Sequence, residues 1–243
     1  MICRFGLVAS WLAYVPIASA QQPTVRTASS ADTAVALRWY LSPIRVDSGY
    51  RLTPNGYSGA THVQQIADFA ERTDTTRAAP VVGVPVSTID TWNAVQFVSP
   101  QLAGPLELSG LFSGHLDFIT NKQDFDFQIS LYELTPSADY VLLSTYSTYS
   151  TYSTHSSPPS DSSQRTLLQA GNRQHLDYKT DHLATGLIQN GSRLVVLITL
   201  LKPEYHIKSA GRDVSDSAIA DTREPLRISW YGESYIELRA RHH

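Results

Sequence analysis

Residues 194–201 read Leu-Val-Val-Leu-Ile-Thr-Leu-Leu, with a large apolar side chain at every position but one. Val, Ile and Thr favour extended backbone, and the Asn190-Gly191 pair just upstream is a turn signal, so the run is a strand rather than a helix. Side chains of a strand point alternately to opposite faces. A strand apolar on both faces has to be covered on both, which places it at the centre of a sandwich or at a domain interface. Burying its seven large apolar side chains contributes roughly 10–20 kcal/mol before ordering entropy is subtracted.

The remaining patterns agree. In residues 124–134, Phe125, Phe127, Ile129 and Leu131 fall on one face, and Asp124, Asp126, Gln128 and Ser130 on the other. That alternation predicts a strand with one buried and one wet side. Residues 35–41 open the domain, and residues 42–60 are rich in turn formers. Residues 63–69 are a weaker strand candidate, because Gln64, Gln65 and Asp68 break the alternation. Gly104-Pro105 introduces a strand over 106–112, and strands over 226–230 and 234–238 flank Gly232. No long stretch keeps an i, i+3, i+4 apolar pattern. The expected fold is all-β, an antiparallel β-sandwich or jelly roll with few short helices, over residues 34–243.

The N-terminal residues follow a different logic. Arg4 is a basic n-region, residues 5–17 are mostly apolar, and Ala18-Ser19-Ala20 fits the small-residue cleavage rule. The expectation is a signal peptide over 1–20, a flexible lead-in over 21–33, and a periplasmic or secreted protein. Cleavage removes Cys3, the single cysteine, so the mature chain has no disulfide to rely on. It also removes Arg4, leaving 18 basic against 22 acidic residues, a charge of −4 rather than −3. So small a charge suggests no nucleic-acid partner, and no apolar run reaches the ~18 residues of a stable membrane span.

Ser-Thr-Tyr is repeated three times from Ser144 to Tyr152 and decays into a Ser- and Pro-rich stretch ending near Ser163. A period of three suits neither strand nor helix. The segment reads as a tandem expansion, partly lengthening a hairpin arm and partly a disordered loop.

No catalytic, cofactor-binding or metal-binding residue is assigned. A serine hydrolase of the α/β type needs a G-x-S-x-G elbow. The nearest echo, Gly110-Leu111-Phe112-Ser113-Gly114, sets its serine one place late and sits among strands. His115 is followed by Asp117, His175 and His182 lie seven apart across an expected turn, and His242-His243 end the sequence. None has zinc-site spacing. Asp213, Asp216 and Asp221, after His206, are read as a structural loop rather than a calcium site. Asp124 and Asp126 are read as solvated. Asn190-Gly191-Ser192 matches a glycosylation sequon, which matters only in a eukaryotic secretory pathway and works equally well as a turn.

Residues 202–207 (Lys-Pro-Glu-Tyr-His-Ile), 211–221 and 224–238, with Ile228-Ser229-Trp230-Tyr231 at their centre, resemble the C-terminal end of the CocE/NonD hydrolases, relatives of X-Pro dipeptidyl-peptidase, α-amino-acid ester hydrolase and glutaryl-7-aminocephalosporanic acid acylase. Further patches resemble the same family in order: Arg38-Trp39-Tyr40-Leu41-Ser42, Tyr50-Arg51-Leu52, residues 68–74, Phe97-Val98-Ser99-Pro100 with Leu108-Ser109-Gly110, Asp124-Phe125-Asp126-Phe127, and Gly191-Ser192-Arg193-Leu194. The resemblance spans about residues 34–241. It implies a β jelly roll that follows a catalytic α/β-hydrolase domain and helps wall its substrate pocket. With no elbow present, it implies a non-catalytic domain of a truncated or split enzyme. The implied partner is an α/β-hydrolase domain or subunit, docked on an apolar patch that would promote self-association if left bare. The alternative is a stand-alone carbohydrate- or protein-binding sandwich, with Trp39, Trp92, Trp230 and the tyrosines as stacking surfaces. Buried tryptophans would favour the first reading.

Overall fold

The structure, a computed structural model, describes residues 34–69, 81–123, 125–148, 168–201 and 224–242. All lie in the unit Ala31–His243. The expected signal peptide and lead-in, most of the Ser-Thr-Tyr repeat, Asp124, His206 and Asp213, Asp216 and Asp221 lie outside the described residues.

Twelve strands follow one another: β1 (Val35–Val46), β2 (Gly49–Thr53), β3 (His62–Ala67), β4 (Pro85–Val86), β5 (Ala94–Val98), β6 (Leu106–Thr120), β7 (Asp126–Leu134), β8 (Tyr140–Ser147), β9 (Arg173–Ile188), β10 (Arg193–Leu201), β11 (Leu226–Tyr231) and β12 (Tyr235–His242). Where short helices were expected beside the strands, the described residues contain none.

Pairing runs β3-β11-β6-β12-β1-β2-β5-β10-β7-β8-β4, with β9 added on β6. Every pair is antiparallel except β2 with β5. The ladder folds over on itself at that pair. Trp39, Leu116 and Trp230 from one half share a single core with Phe97, Phe127 and Ile198 from the other. This is the expected sandwich.

Strand β10 sits where its composition requires. Leu194, Val196, Ile198 and Leu200 face the main core; Val195 and Leu197 face a second cluster with Val98, Tyr132 and Leu142. Both faces are buried. The wet side expected for residues 124–134 is corrected by the same cluster. Phe125, Phe127, Ile129 and Leu131 are buried as predicted, but Asp126, Ser130 and Tyr132 are also at most 3% exposed. Among the described residues of the expected wet row only Gln128 keeps partial exposure, and further along that face Tyr132 joins the second cluster.

Strand β6 is the spine of its half. Its full length pairs with β9, and its other edge is shared end to end by β12 and β11. The change of partner would strand the backbone of Asp117. Ser234 prevents this: its hydroxyl accepts from Asp117 N–H at 2.9 Å and donates to Asp117 C=O at 3.2 Å. At the bulge after Leu111, Thr180 Oγ1 likewise accepts from Phe112 N–H. Buried backbone polar groups need such partners, so these two hydroxyls let β6 change register without a penalty.

The weak candidate over residues 63–69 is β3, with Val63, Gln65 and Ala67 all buried. Gln65 breaks the hydrophobic pattern because it is a buried polar tie. Its Nε2 donates to the carbonyls of Asn93 and Ile198, and its Oε1 accepts from Trp230 Nε1. One amide joins three strands and both halves of the sandwich.

The first residues of the Ser-Thr-Tyr repeat do lengthen a hairpin arm. Ser144, Thr145, Tyr146 and Ser147 continue β8 opposite Leu131, Ser130, Ile129 and Gln128. Tyr146 then packs on Phe127 and Tyr178. The expected turn between His175 and His182 does not exist: both belong to the sixteen-residue β9.

Candidate docking surface

Two regions could carry function: a polar row on the outer face of β9, β6, β12 and β1, and a strap across the outer face of β5, β10, β7 and β8.

The polar row is built by register. Asp117 faces His175, His115 faces Asp177 and Tyr235, and Tyr40 faces Tyr235. His115 Nδ1 lies 2.7 Å from Asp177 Oδ1. Its ring stacks between His175 and Tyr235, at 5.8 and 5.7 Å. The opposite end of the row holds Arg38, 4.0 Å over the Tyr235 ring and paired with Glu237. That hydrogen bond to Glu237 is the main cause that raises the Arg38 pKa. Arg173 donates to both Asp117 and Glu233 and lies 4.1 Å over Tyr231. Its pKa is also raised, chiefly by Asp117.

The Asp177–His115 contact has the pairing of the orienting half of a Ser-His-Asp triad, but its carboxylate is exposed where a triad's is buried. The other half is missing. Ser113, two residues from His115 on the same face, pairs with Lys179 and Glu237 at the edge of the bulge after Leu111. Among the described residues no serine hydroxyl bonds to His115. The Gly110–Gly114 echo of an elbow is interior to β6, not a strand-to-helix turn. No group of three or more metal-ligating side chains converges among the described residues. His115, His175, Asp117 and Asp177 therefore form a hydrogen-bonded, ring-stacked and partly solvated face. Sequence reading named His115, His175 and Asp117 but not Asp177, which only the β6–β9 register brings in.

The tryptophans separate the two functional readings. Trp39 and Trp230 are 7% and 1% exposed, part of the core, so neither can stack on a ligand. Trp92 is 48% exposed.

Trp92 belongs to the strap, residues 81–93. At one end, Gly83 N–H donates to Leu142 C=O and β4 pairs with Tyr140 and Val141 of β8. At the other end the chain enters β5. Between them Ile89 packs on the second cluster. The underside is fixed there, and the outward side carries Val81, Val82, Val84 and Trp92, all about half exposed or more. These are four of the seven large apolar side chains exposed among the described residues. A fifth, Ile44, lies two residues from Val46, which packs on the same cluster. Sequence reading took Trp92 as a stacking candidate and passed over the valines. The signal was present: Val81, Val82, Val84 and Val86 are interrupted by Gly83 and Pro85, too apolar for a solvated loop and too broken for a strand.

Comparison with known proteins places the fold. Residues 17–198 match the family model described as X-Pro dipeptidyl-peptidase C-terminal non-catalytic domain. The match stops short of residues 202–238, which carry part of the resemblance. The described tail residues form β11 and β12. No curated protein matches the chain. Among solved structures, an α-amino acid ester hydrolase aligns over 91% of this chain and 38% of its own, at 17% identity and TM-score 0.59. An aminopeptidase from a marine sediment archaeon, Thaumarchaeota archaeon, aligns over 85% and 37%, at 13% identity and TM-score 0.57. A CocE/NonD family hydrolase from Staphylococcus aureus aligns over 86% and 36%, at 12% identity and TM-score 0.54. The chain thus spans little more than a third of the solved structures it matches.

Proposed function

The chain belongs to the family of X-Pro dipeptidyl-peptidase C-terminal non-catalytic domains, and from that premise we propose that it works beside an α/β-hydrolase domain of a secreted serine hydrolase. The family activity to which it would contribute is dipeptidyl-peptidase action or hydrolysis of an acyl ester or amide. The jelly roll supplies a wall and a platform; the chemistry belongs to its neighbour.

The observation that carries this reading is the alignment itself. A strand-only sandwich covers most of its own length, but little more than a third of each hydrolase that it matches. Two buried tryptophans weigh against a carbohydrate-stacking module. Export is part of the proposal and rests on the n-region, apolar stretch and cleavage motif of residues 1–20.

The test is to purify the chain and offer it activated esters and X-Pro amides, together with a serine-reactive fluorophosphonate. The expected result is no turnover and no labelled serine. Stoichiometric labelling of a single serine would overturn the non-catalytic role. N-terminal sequencing of the exported form should read from Gln21.

A further inference from the structure

We infer that the strap, residues 81–93, is the surface on which the α/β-hydrolase domain sits, with Trp92 and Val82 as its anchors. This rests on the reading above and adds which face is used and how.

Three observations point to this face. First, four of the seven large exposed apolar side chains among the described residues lie together on the strap, whereas Ile66 and Leu187 stand singly on β3 and β9. The outer face of β9, β6, β12 and β1 otherwise presents paired charges and rings stacked on one another. Desolvating that row would break ion pairs already made; covering the strap removes apolar surface from water.

Second, the strap is held from beneath. Ile89, the Gly83 bond to Leu142 and the β4–β8 pair hold its underside on the second cluster, so its outer valines are displayed rather than loose. A preorganised surface loses less entropy on docking.

Third, the size fits a domain contact. The strap crosses from β8 to β5, three strand spacings or about 14 Å. Val81, Val82, Val84 and Trp92 together expose roughly 400 Å², within the ~300–750 Å² per side of inter-domain contacts. These four side chains alone amount to about half of the ~800 Å² that each partner of a stable two-chain interface buries. A tryptophan flanked by aliphatic side chains is also the composition of an interface anchor.

The experiment places p-benzoylphenylalanine at Val82 and at Trp92, with His175 and Lys179 on the opposite outer face as controls. The full chain is irradiated in its source cells, and adducts are sequenced and probed with fluorophosphonate. Cross-links from 82 and 92 to a sequence bearing a G-x-S-x-G serine, on the same polypeptide or another, support the inference. Such cross-links from 175 or 179 alone overturn the surface and leave the proposed function standing. Adducts at 82 and 92 to a second copy of this chain, or to any polypeptide without the elbow, also overturn it. No hydrolase adduct from any position overturns both. In parallel, Val82→Asp should lower recovery of the hydrolase sequence in non-covalent pull-down at least tenfold, or cut its cross-links from Trp92 equally if the two share one polypeptide. Its unfolding midpoint should not change, and Lys179→Asp should leave recovery unchanged.

Discussion

Replacing Gln65 by Leu tests whether the sandwich is fastened by a polar tie at its centre. Leu has nearly the same length and would satisfy the apolar alternation of β3 better than Gln does. Pattern alone therefore predicts a neutral or stabilising change. The geometry predicts the opposite. The amide makes three hydrogen bonds of 2.7–2.9 Å, to Trp230 Nε1 and to the carbonyls of Asn93 and Ile198. Asn93 C=O keeps a second donor, Leu200 N–H, so its loss is tolerable. Trp230 is 1% exposed, so its indole N–H would be left buried without an acceptor. An orphaned buried donor costs about 1–3 kcal/mol, and each net hydrogen bond lost about 1 kcal/mol more. Burying a more apolar side chain offsets part of this, leaving a destabilisation of about 2–4 kcal/mol. For a domain of this size that lowers Tm by roughly 5–15 °C. Urea unfolding followed by far-UV circular dichroism measures it without relying on Trp230. A double-mutant cycle with Trp230→Phe should show coupling of at least about 1 kcal/mol. A Gln65→Leu protein within 0.5 kcal/mol of the parent would refute the tie.

Tyr178→Phe should stabilise the fold by about 1–2 kcal/mol, because the hydroxyl is buried with no hydrogen-bond partner among the described residues. Burial raises the Tyr178 pKa well above 10, so its neutral form is favoured in the fold. That contribution is complete below the unfolded tyrosine pKa near 10 and declines as pH rises above it, where only the unfolded chain releases the proton. Urea titrations between pH 9 and 11 should thus show a falling midpoint, with a shallower fall in Tyr178→Phe. Gly114→Ala should prevent folding or cost more than about 3 kcal/mol, since a Cβ there would meet the Tyr235 carbonyl and come within 2.6 Å of the Tyr178 hydroxyl. Soluble expression and circular dichroism would show it. Ser234→Ala should cost about 1–3 kcal/mol by leaving both backbone groups of Asp117 without the hydroxyl, whereas Ser234→Thr should recover part of the loss.

Much of the fold was legible because hydrophobic period is a local signal. The two-faced apolar run became β10, the alternation around Phe127 became β7, and the residues around Gly232 became β11 and β12. What was not legible depended on residues far apart. Strand β9 displays Arg173, His175, Asp177 and Lys179, a polar series that reads as a loop until β6 lies beside it. The outer face of β7 was read as wet because nothing near it in sequence announces the strap that covers it. Gln65 looked like a flaw in β3 because its partners are Asn93, Ile198 and Trp230. The candidate site was legible only in part. Trp92 stood out as an aromatic, but the valines became a surface only once Ile89 and the Leu142 bond had fixed which side of the strap faces outward.

The pairing of β6 also sets a timetable. Residues 106–120 wait for partners in residues 173–188 and 226–242, and β1, which pairs at once with β2 on one edge, closes its other edge only against β12, some two hundred residues later. At ribosomal speeds of about 5–20 residues per second, β1 is made roughly 10–40 s before this second neighbour exists. Few of the contacts that hold this half are local, so it cannot assemble progressively as it emerges. For that interval the apolar faces of β1 and β6 need shelter, from a chaperone or from parts of the chain that later give way. A synonymous slow-codon stretch placed between residues 120 and 226 would lengthen the exposure without changing one contact of the finished protein.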